Sequence, residues 1–171
     1  LHSLRRRQRQ MCIRDRLPDH PGLKARALAH GVLVALAPRG YWADESEGVP
    51  LALDELADAP LIGLSSADPL FARLDSYLQA VEPPPRISIA VQTYSLARAM
   101  VESGAGLAVI DPFTALGASR ASTLVRPLSP ALPITLYALT RADEAPAHTL
   151  EGLLQLFAER ASEQLQRLAG G

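Results

Sequence analysis

Short apolar runs alternate with stretches of helical periodicity along most of the chain. Residues 32–37 (VLVALA) form a continuous apolar run closed by Pro38-Arg-Gly40, the pattern of a strand buried on both faces. Leu61-Ile-Gly-Leu64 reads as a second strand and is followed by Ser65-Ser66-Ala67-Asp68-Pro69. There Asp68 can cap a helix that has Pro69 at its first position. Leu70, Phe71, Leu74, Leu78 and Val81 carry that helix on one face until the prolines at 83–85 stop it. Residues 87–91 predict a third strand, and Thr93, Tyr94 and Ser95 open a helix through Leu96, Ala99, Met100 and Val101. Gly104 ends that helix, and Gly106 turns the backbone into a strand at 107–110. Asp111-Pro112 caps another short helix, and residues 124–125 and 134–139 supply two more strands. The last helix shows the clearest stripe: Leu150, Leu153, Leu154, Phe157, Ala161, Leu165 and Leu168. Strand–helix alternation with buried-type strands predicts an α/β layered fold with largely parallel sheets. In such sheets ligands bind at the carboxyl ends of strands, against helix N-termini. Three loops are marked by that rule: residues 64–68, 92–95 and 111–114.

Composition narrows the class. The 171 residues, 48% hydrophobic and 20% charged with mean hydropathy near zero, suffice for one domain or two small lobes with a real core. No apolar run approaches the roughly 20 residues of a membrane helix. The single cysteine, Cys12, excludes a disulfide framework and any multi-thiolate metal site. Charge is unevenly placed: six arginines (Arg5, Arg6, Arg7, Arg9, Arg14, Arg16) face one acid, Asp15, in residues 1–16. The remaining 11 basic and 17 acidic residues give the body a net charge of −6. A nucleic-acid-binding arm or an Arg-rich transit peptide would share the composition of the head. A third reading fits its order: Arg6 to Asp15 (RRQRQMCIRD) is what translation of CGT CGG CAG CGT CAG ATG TGT ATA AGA GAC yields, a string resembling a transposase-type sequencing adapter. On that expectation residues 1–16 are an artefact, Cys12 drops out with them, and the chain is a fragment that begins abruptly near Leu17.

Candidate chemistry in the body is sparse. His20, His30 and His148 are scattered, with no acid or histidine at ligand spacing, so surface or capping roles are expected and no metal. Gly63-Leu-Ser65 lacks the second glycine of a nucleophile elbow. Gly104-Ala-Gly106 follows a helix and precedes a strand, the reverse of a phosphate cradle. The carboxylate pairs Glu45/Glu47, Asp54/Glu55 and Asp143/Glu144 read as solvated faces, and Tyr41 with Trp42 either stacks a ligand or anchors a loop. The acidic body disfavours nucleic-acid contact. The positive signal is at the strand ends. Ser65, Ser66, Thr93, Tyr94 and Ser95 offer neutral donors and acceptors where helix amides also point, so a carboxylate can dock there without an arginine. The competing reading is that all are simple N-caps. Hydroxyls and free amides without acid, base or metal suit reversible binding rather than turnover.

The order of elements is also familiar. Leu33-Val-Ala-Leu-Ala-Pro38 is followed by a Gly-aromatic turn, and Leu53-Asp-Glu-Leu56 precedes Ala59-Pro-Leu-Ile62. Then come Met100-Val-Glu-Ser-Gly-Ala-Gly-Leu-Ala-Val-Ile110, Leu124-Val-Arg-Pro-Leu128, a strand at 135–140 and a final amphipathic helix. In that order these marks make residues 17–171 resemble the effector-binding region of LysR-type transcriptional regulators. Residues 109–116 and 125–133 are similar to the branch sensing lysine-pathway intermediates and opines. The resemblance implies a type 2 periplasmic-binding-like two-lobed α/β fold with the first part of lobe I missing. Residues 17–40 and 138–171 would form partial lobe I, and residues 41–137 lobe II. It also implies a small-molecule effector in the cleft, Thr93 and Tyr94 as contacts, and Ser65, Ser66 and Asp111 on flanking loops. DNA would be bound only through an N-terminal winged helix-turn-helix absent here, in a cytoplasmic dimer or tetramer without membrane contact or cofactor.

Two rivals share the fold. A transporter's solute-binding protein would need export, and residues 69–81, plausible as an oligomer face, favour the regulator. An enzyme such as a deaminase or dehydratase would need a convergent acid/base pair, which the sequence does not offer. The expected role is therefore non-enzymatic sensing of an amino acid or amino-acid-derived carboxylate.

Overall fold

The computed structural model of the chain describes residues 21–64, 68–143 and 148–169. A six-stranded sheet in the order β3-β7-β2-β6-β4-β5 holds most of the core. Its strands are β2 (Val34–Pro38), β3 (Leu51–Ala52), β4 (Leu61–Leu64), β5 (Ile87–Val91), β6 (Leu107–Ile110) and β7 (Thr123–Ser129). The apolar run at 32–37 supplies β2, buried from Val34 through Ala37. It lies between β6 and β7 and is antiparallel to both, with Val34 opposite Ile110 on one side and Pro127 on the other. Only β4 with β5, β4 with β6, and β3 with β7 run parallel. The expectation of largely parallel sheets is corrected to a mixed one, because the chain enters β2 from the opposite end of the sheet. β5 departs from the buried-strand pattern too: with β4 as its one neighbour it is an edge, and Ile87, Ser88 and Ala90 are exposed.

Helices α1 (Pro69–Leu78), α2 (Tyr94–Glu102) and α3 (Pro112–Ala115) follow β4, β5 and β6. α1 begins at the expected proline and buries Leu70, Phe71, Leu74 and Leu78; its helical turns stop at Leu78, so Val81 lies in the turn beyond. Gly63 admits the ring of Phe71 against β4, since an added Cβ would lie 2.8 Å from Phe71 Cζ. α2 buries Ala97 and Val101. The turn between α2 and β6 requires Gly106 at φ +155°, where a Cβ would stand 2.3 Å from the Pro60 carbonyl oxygen.

A second, smaller sheet pairs β1 (Leu23–Val32) with β8 (Pro133–Arg141), antiparallel from Leu23 opposite Arg141 to Val32 opposite Pro133. The register shifts between Ala27 and Ala29. The long helix α4 (His148–Ala169) packs on β1. Leu28, Ala29, Leu136, Ala138 and Leu154 form this sheet's own buried cluster, with Leu150, Ala158, Ala161 and Leu165 packed against it. The sequence pattern does not announce β1, whose first half is exposed and alanine-rich. β2, inside the span 17–40 expected for the first lobe, is a central strand of the six-stranded sheet. No helix among the described residues is long and apolar enough to cross a membrane.

Candidate effector site

Parallel strands β4, β5 and β6 end at Leu64, Val91 and Ile110 on one end of the sheet, and each feeds a helix whose first turn faces that end. Each helix is capped by a side chain from the connecting loop. The Phe71 amide donates to Asp68 Oδ1 at 2.8 Å, and the Leu96 amide donates to Thr93 Oγ1 at 3.2 Å. The Thr114 amide donates to Asp111 Oδ1 at 2.9 Å, and the Thr114 hydroxyl donates to Asp111 Oδ2 at 2.5 Å. Thr93 and Asp111 therefore work as N-caps, each satisfying an amide with no partner inside its helix. Pro69 and Pro112 remove one N–H each. By position, the first-turn amides left over from these caps are those of Leu70, Tyr94, Ser95 and Phe113.

Tyr94 ties the loops together. Its hydroxyl donates to Asp68 Oδ1 at 3.5 Å, a long bond. Burial raises the phenol well above its ordinary range, and the Asp68 and Asp111 carboxylates raise it further. Tyr94 is thus a protonated donor at every physiological pH. Asp111 itself is 1% exposed. Thr93 and Ser95 are exposed, and both stand beside Tyr94 at the open end of the sheet. Ser65 and Ser66 lie outside the described residues. The structure thus brings Thr93, Tyr94, Ser95 and Asp111 to one sheet end, and adds Asp68, which sequence reasoning treated only as a cap. The expected picture of neutral hydroxyls changes in one respect: two carboxylates flank the phenol. Among the described residues no group of three or more His, Cys, Asp or Glu side chains could hold a metal ion.

A buried arginine was also missed. Arg126 is 6% exposed; its Nε donates to the Val49 carbonyl at 3.0 Å and its Nη2 to the Pro50 carbonyl at 2.9 Å. Both Nη atoms reach the Glu55 carboxylate, at 3.0 and 3.3 Å, and the guanidinium carbon sits 5.2 Å from the Trp42 ring centroid. Burial pushes the Glu55 carboxyl up. The hydrogen bonds from Arg126 and the Ala52 amide, with the Arg126 charge, outweigh that and hold it below the usual range. The available signal was strand alternation: Leu124, Arg126 and Leu128 share the buried face of β7. Trp42 is accordingly a loop anchor that packs on the core.

The LysR substrate binding domain model matches residues 1–162. This chain belongs to that family. The HTH-type transcriptional regulator DgcR of Pseudoalteromonas sp is 30% identical over 134 residues, which is 78% of this chain and 45% of that regulator. The chain therefore spans less than half the length of the curated relative it matches. The Synechocystis PCC6803 CcmR regulatory domain in complex with 2-PG superposes with a TM-score of 0.66 at 12% identity, over 86% of this chain and 71% of that one. The effector-binding domain of a BenM variant gives 0.65 at 16% identity, over 84% and 68%. The fold of these LysR effector-binding domains is the periplasmic-binding-like, two-lobed α/β fold, as expected. The family match favours the ligand-sensing part of a regulator over a transporter's solute-binding protein.

Proposed function

We propose that this LysR-family domain senses an amino acid or an amino-acid-derived carboxylate at the carboxyl ends of β4, β5 and β6. The observation that carries the reading is the convergence of the Tyr94 hydroxyl and three capped helix N-termini at one open sheet end. The first-turn amides of Tyr94 and Ser95 suit a carboxylate, and the Asp68 carboxylate beside Tyr94 suits an ammonium group, with buried Asp111, held by Thr114, adding negative potential behind it. Thr93, Tyr94, Ser95 and Asp111, with Ser65 and Ser66 from the preceding loop, make up the proposed wall. In this reading β1 and β8 are the strands that cross between lobes. The six-stranded sheet belongs to lobe II, and α4 with the flanking residues of 17–40 and 138–171 to partial lobe I. Residues 1–16 remain, in this reading, translated adapter sequence.

The full regulator binds DNA through a winged helix-turn-helix preceding this domain, as a cytoplasmic dimer or tetramer. Effector binding shifts lobe closure and repositions the heads. The role is binding, not turnover. A thermal-shift screen of L- and D-amino acids and their N-substituted derivatives tests the reading. An effector at about 100 times its Kd adds about 2.7 kcal/mol of stability and raises Tm with dose. Tyr94→Phe weakens that effector by about fivefold, the worth of one hydrogen bond. A screen in which no compound raises Tm, or an effector bound equally by Tyr94→Phe and Thr93→Ala, contradicts it.

A further inference from the structure

β4 lies between β6 and β5 in the large sheet, so the loop that follows it holds the middle of the open strand end. Asp68 closes that loop as the N-cap of α1. Its two carboxylate oxygens are used unequally. Oδ1 accepts from the Phe71 amide at 2.8 Å and from the Tyr94 hydroxyl at 3.5 Å. Oδ2 has no hydrogen-bond donor among the described residues, and the residue is only partly buried. Asp111 differs on both counts. Its Oδ1 accepts from the Thr114 amide, its Oδ2 from the Thr114 hydroxyl, and it is 1% exposed. Of the two carboxylates at this sheet end, Asp68 alone keeps an oxygen for a ligand.

Tyr94 supplies a second acceptor. Its proton is directed at Asp68, so towards a ligand the phenol oxygen presents a lone pair. That oxygen stands 3.5 Å from Asp68 Oδ1, which brings it and Oδ2 within reach of one small group. An ammonium carries three N–H donors and a positive charge, and so serves both acceptors and the carboxylate charge together. An N-acylated amine keeps one neutral N–H. A 2-oxo acid keeps none and sets an oxygen lone pair against Oδ2.

We infer that Asp68 is the specificity-determining residue of the strand-end site and selects a free amino group, so that the ligand is an amino acid itself rather than its N-acyl or 2-oxo derivative. The inference rests on the strand-end reading and narrows it, since that reading by itself admits both the amino acid and its derivatives.

Titration calorimetry on the full chain tests it with matched trios: L- and D-amino acids, each beside its N-acetyl and 2-oxo counterparts. The free amine should bind about tenfold more tightly than its N-acetyl partner, the gap between a charged and a neutral hydrogen bond, and the 2-oxo acid more weakly still. Asp68→Asn removes the charge and replaces the Oδ2 acceptor with a donor, while asparagine caps a helix as well as aspartate does. It should weaken the amine about tenfold and bring its preference over the N-acetyl partner to within about twofold. Asp68→Ser, a second neutral cap, should do the same, with the circular dichroism spectrum of each variant retained. Should neither variant fold, the wild-type ranking within a trio decides. An N-acetyl or 2-oxo member that binds as tightly as its amine overturns the inference, and so does a folded neutral variant that keeps the wild-type preference. Either result leaves the strand-end reading standing where Tyr94→Phe weakens the same ligand. Absence of binding by every member of every trio overturns both.

Discussion

The two sheets of this chain are held together very differently. The six-stranded sheet is covered by α1 and α2 and contains strands such as β2 and β6 that are buried along their length. The two-stranded sheet has β1 exposed from Leu23 to Ala27 and a core of Leu28, Ala29, Leu136, Ala138 and Leu154. Its helix α4 turns Leu153, Leu156 and Phe157 outward at 46, 52 and 44% exposure. A two-stranded sheet is marginal by itself and depends on what packs against it. The larger unit is therefore the rigid platform, and it is the one that carries the strand-end loops. The smaller unit, with its few buried contacts, is expected to open locally at lower free energy than the platform.

The largest expected effect is in the platform. Leu36→Ala, at a position with no exposure between β6 and β7, should cost about 4 kcal/mol in urea unfolding because the surrounding sheet has no room to collapse. Leu154→Ala, the matching truncation in the small cluster, should cost about 2 kcal/mol and leave hydrogen exchange in β2 and β6 unchanged. An equal loss for Leu36→Ala and Leu154→Ala would erase the contrast between the units. Arg126→Met should cost about 1–2 kcal/mol, since the Val49 and Pro50 carbonyls lose the donor that ties their loop to β7, although those exposed residues can turn to water.

The smallest effect is a pH dependence. The folded chain holds Glu55 below its ordinary value of 4.5, so its contribution is fully present above that pH. It is lost as pH falls through the lowered folded value. Wild type should therefore lose more stability than Glu55→Gln between pH 5 and 3, by a few tenths of a kcal/mol given the half-exposed carboxylate.

Local chemistry was legible in the sequence, and long-range geometry much less so. β5 and β6 have the bounds that their apolar runs predicted, and Asp68, Thr93 and Asp111 cap the helices they precede. Each of these depends on residues within a few positions of one another. β1 was not legible because the alternation of residues 23–27 offers little but alanine as its apolar side and breaks at the register shift between Ala27 and Ala29, and its partner β8 lies more than 100 residues away, as the His30–Thr135 bond shows. The antiparallel placement of β2 is likewise a property of the chain path. At the site, sequence gave the hydroxyls but not their surroundings: that Tyr94 is packed beside Asp68 and Asp111 comes only from the adjacency of β4, β5 and β6.

Amide hydrogen exchange on the full chain, with and without the amino-acid ligand identified by thermal shift, tests the central claim most directly. The account predicts new protection at the uncapped first-turn amides of α2 and α3, residues 94–95 and 113, with β2 and β6 equally protected in both states. Ligand-dependent protection confined to β1, β8 and α4, with those first turns unchanged, would contradict it.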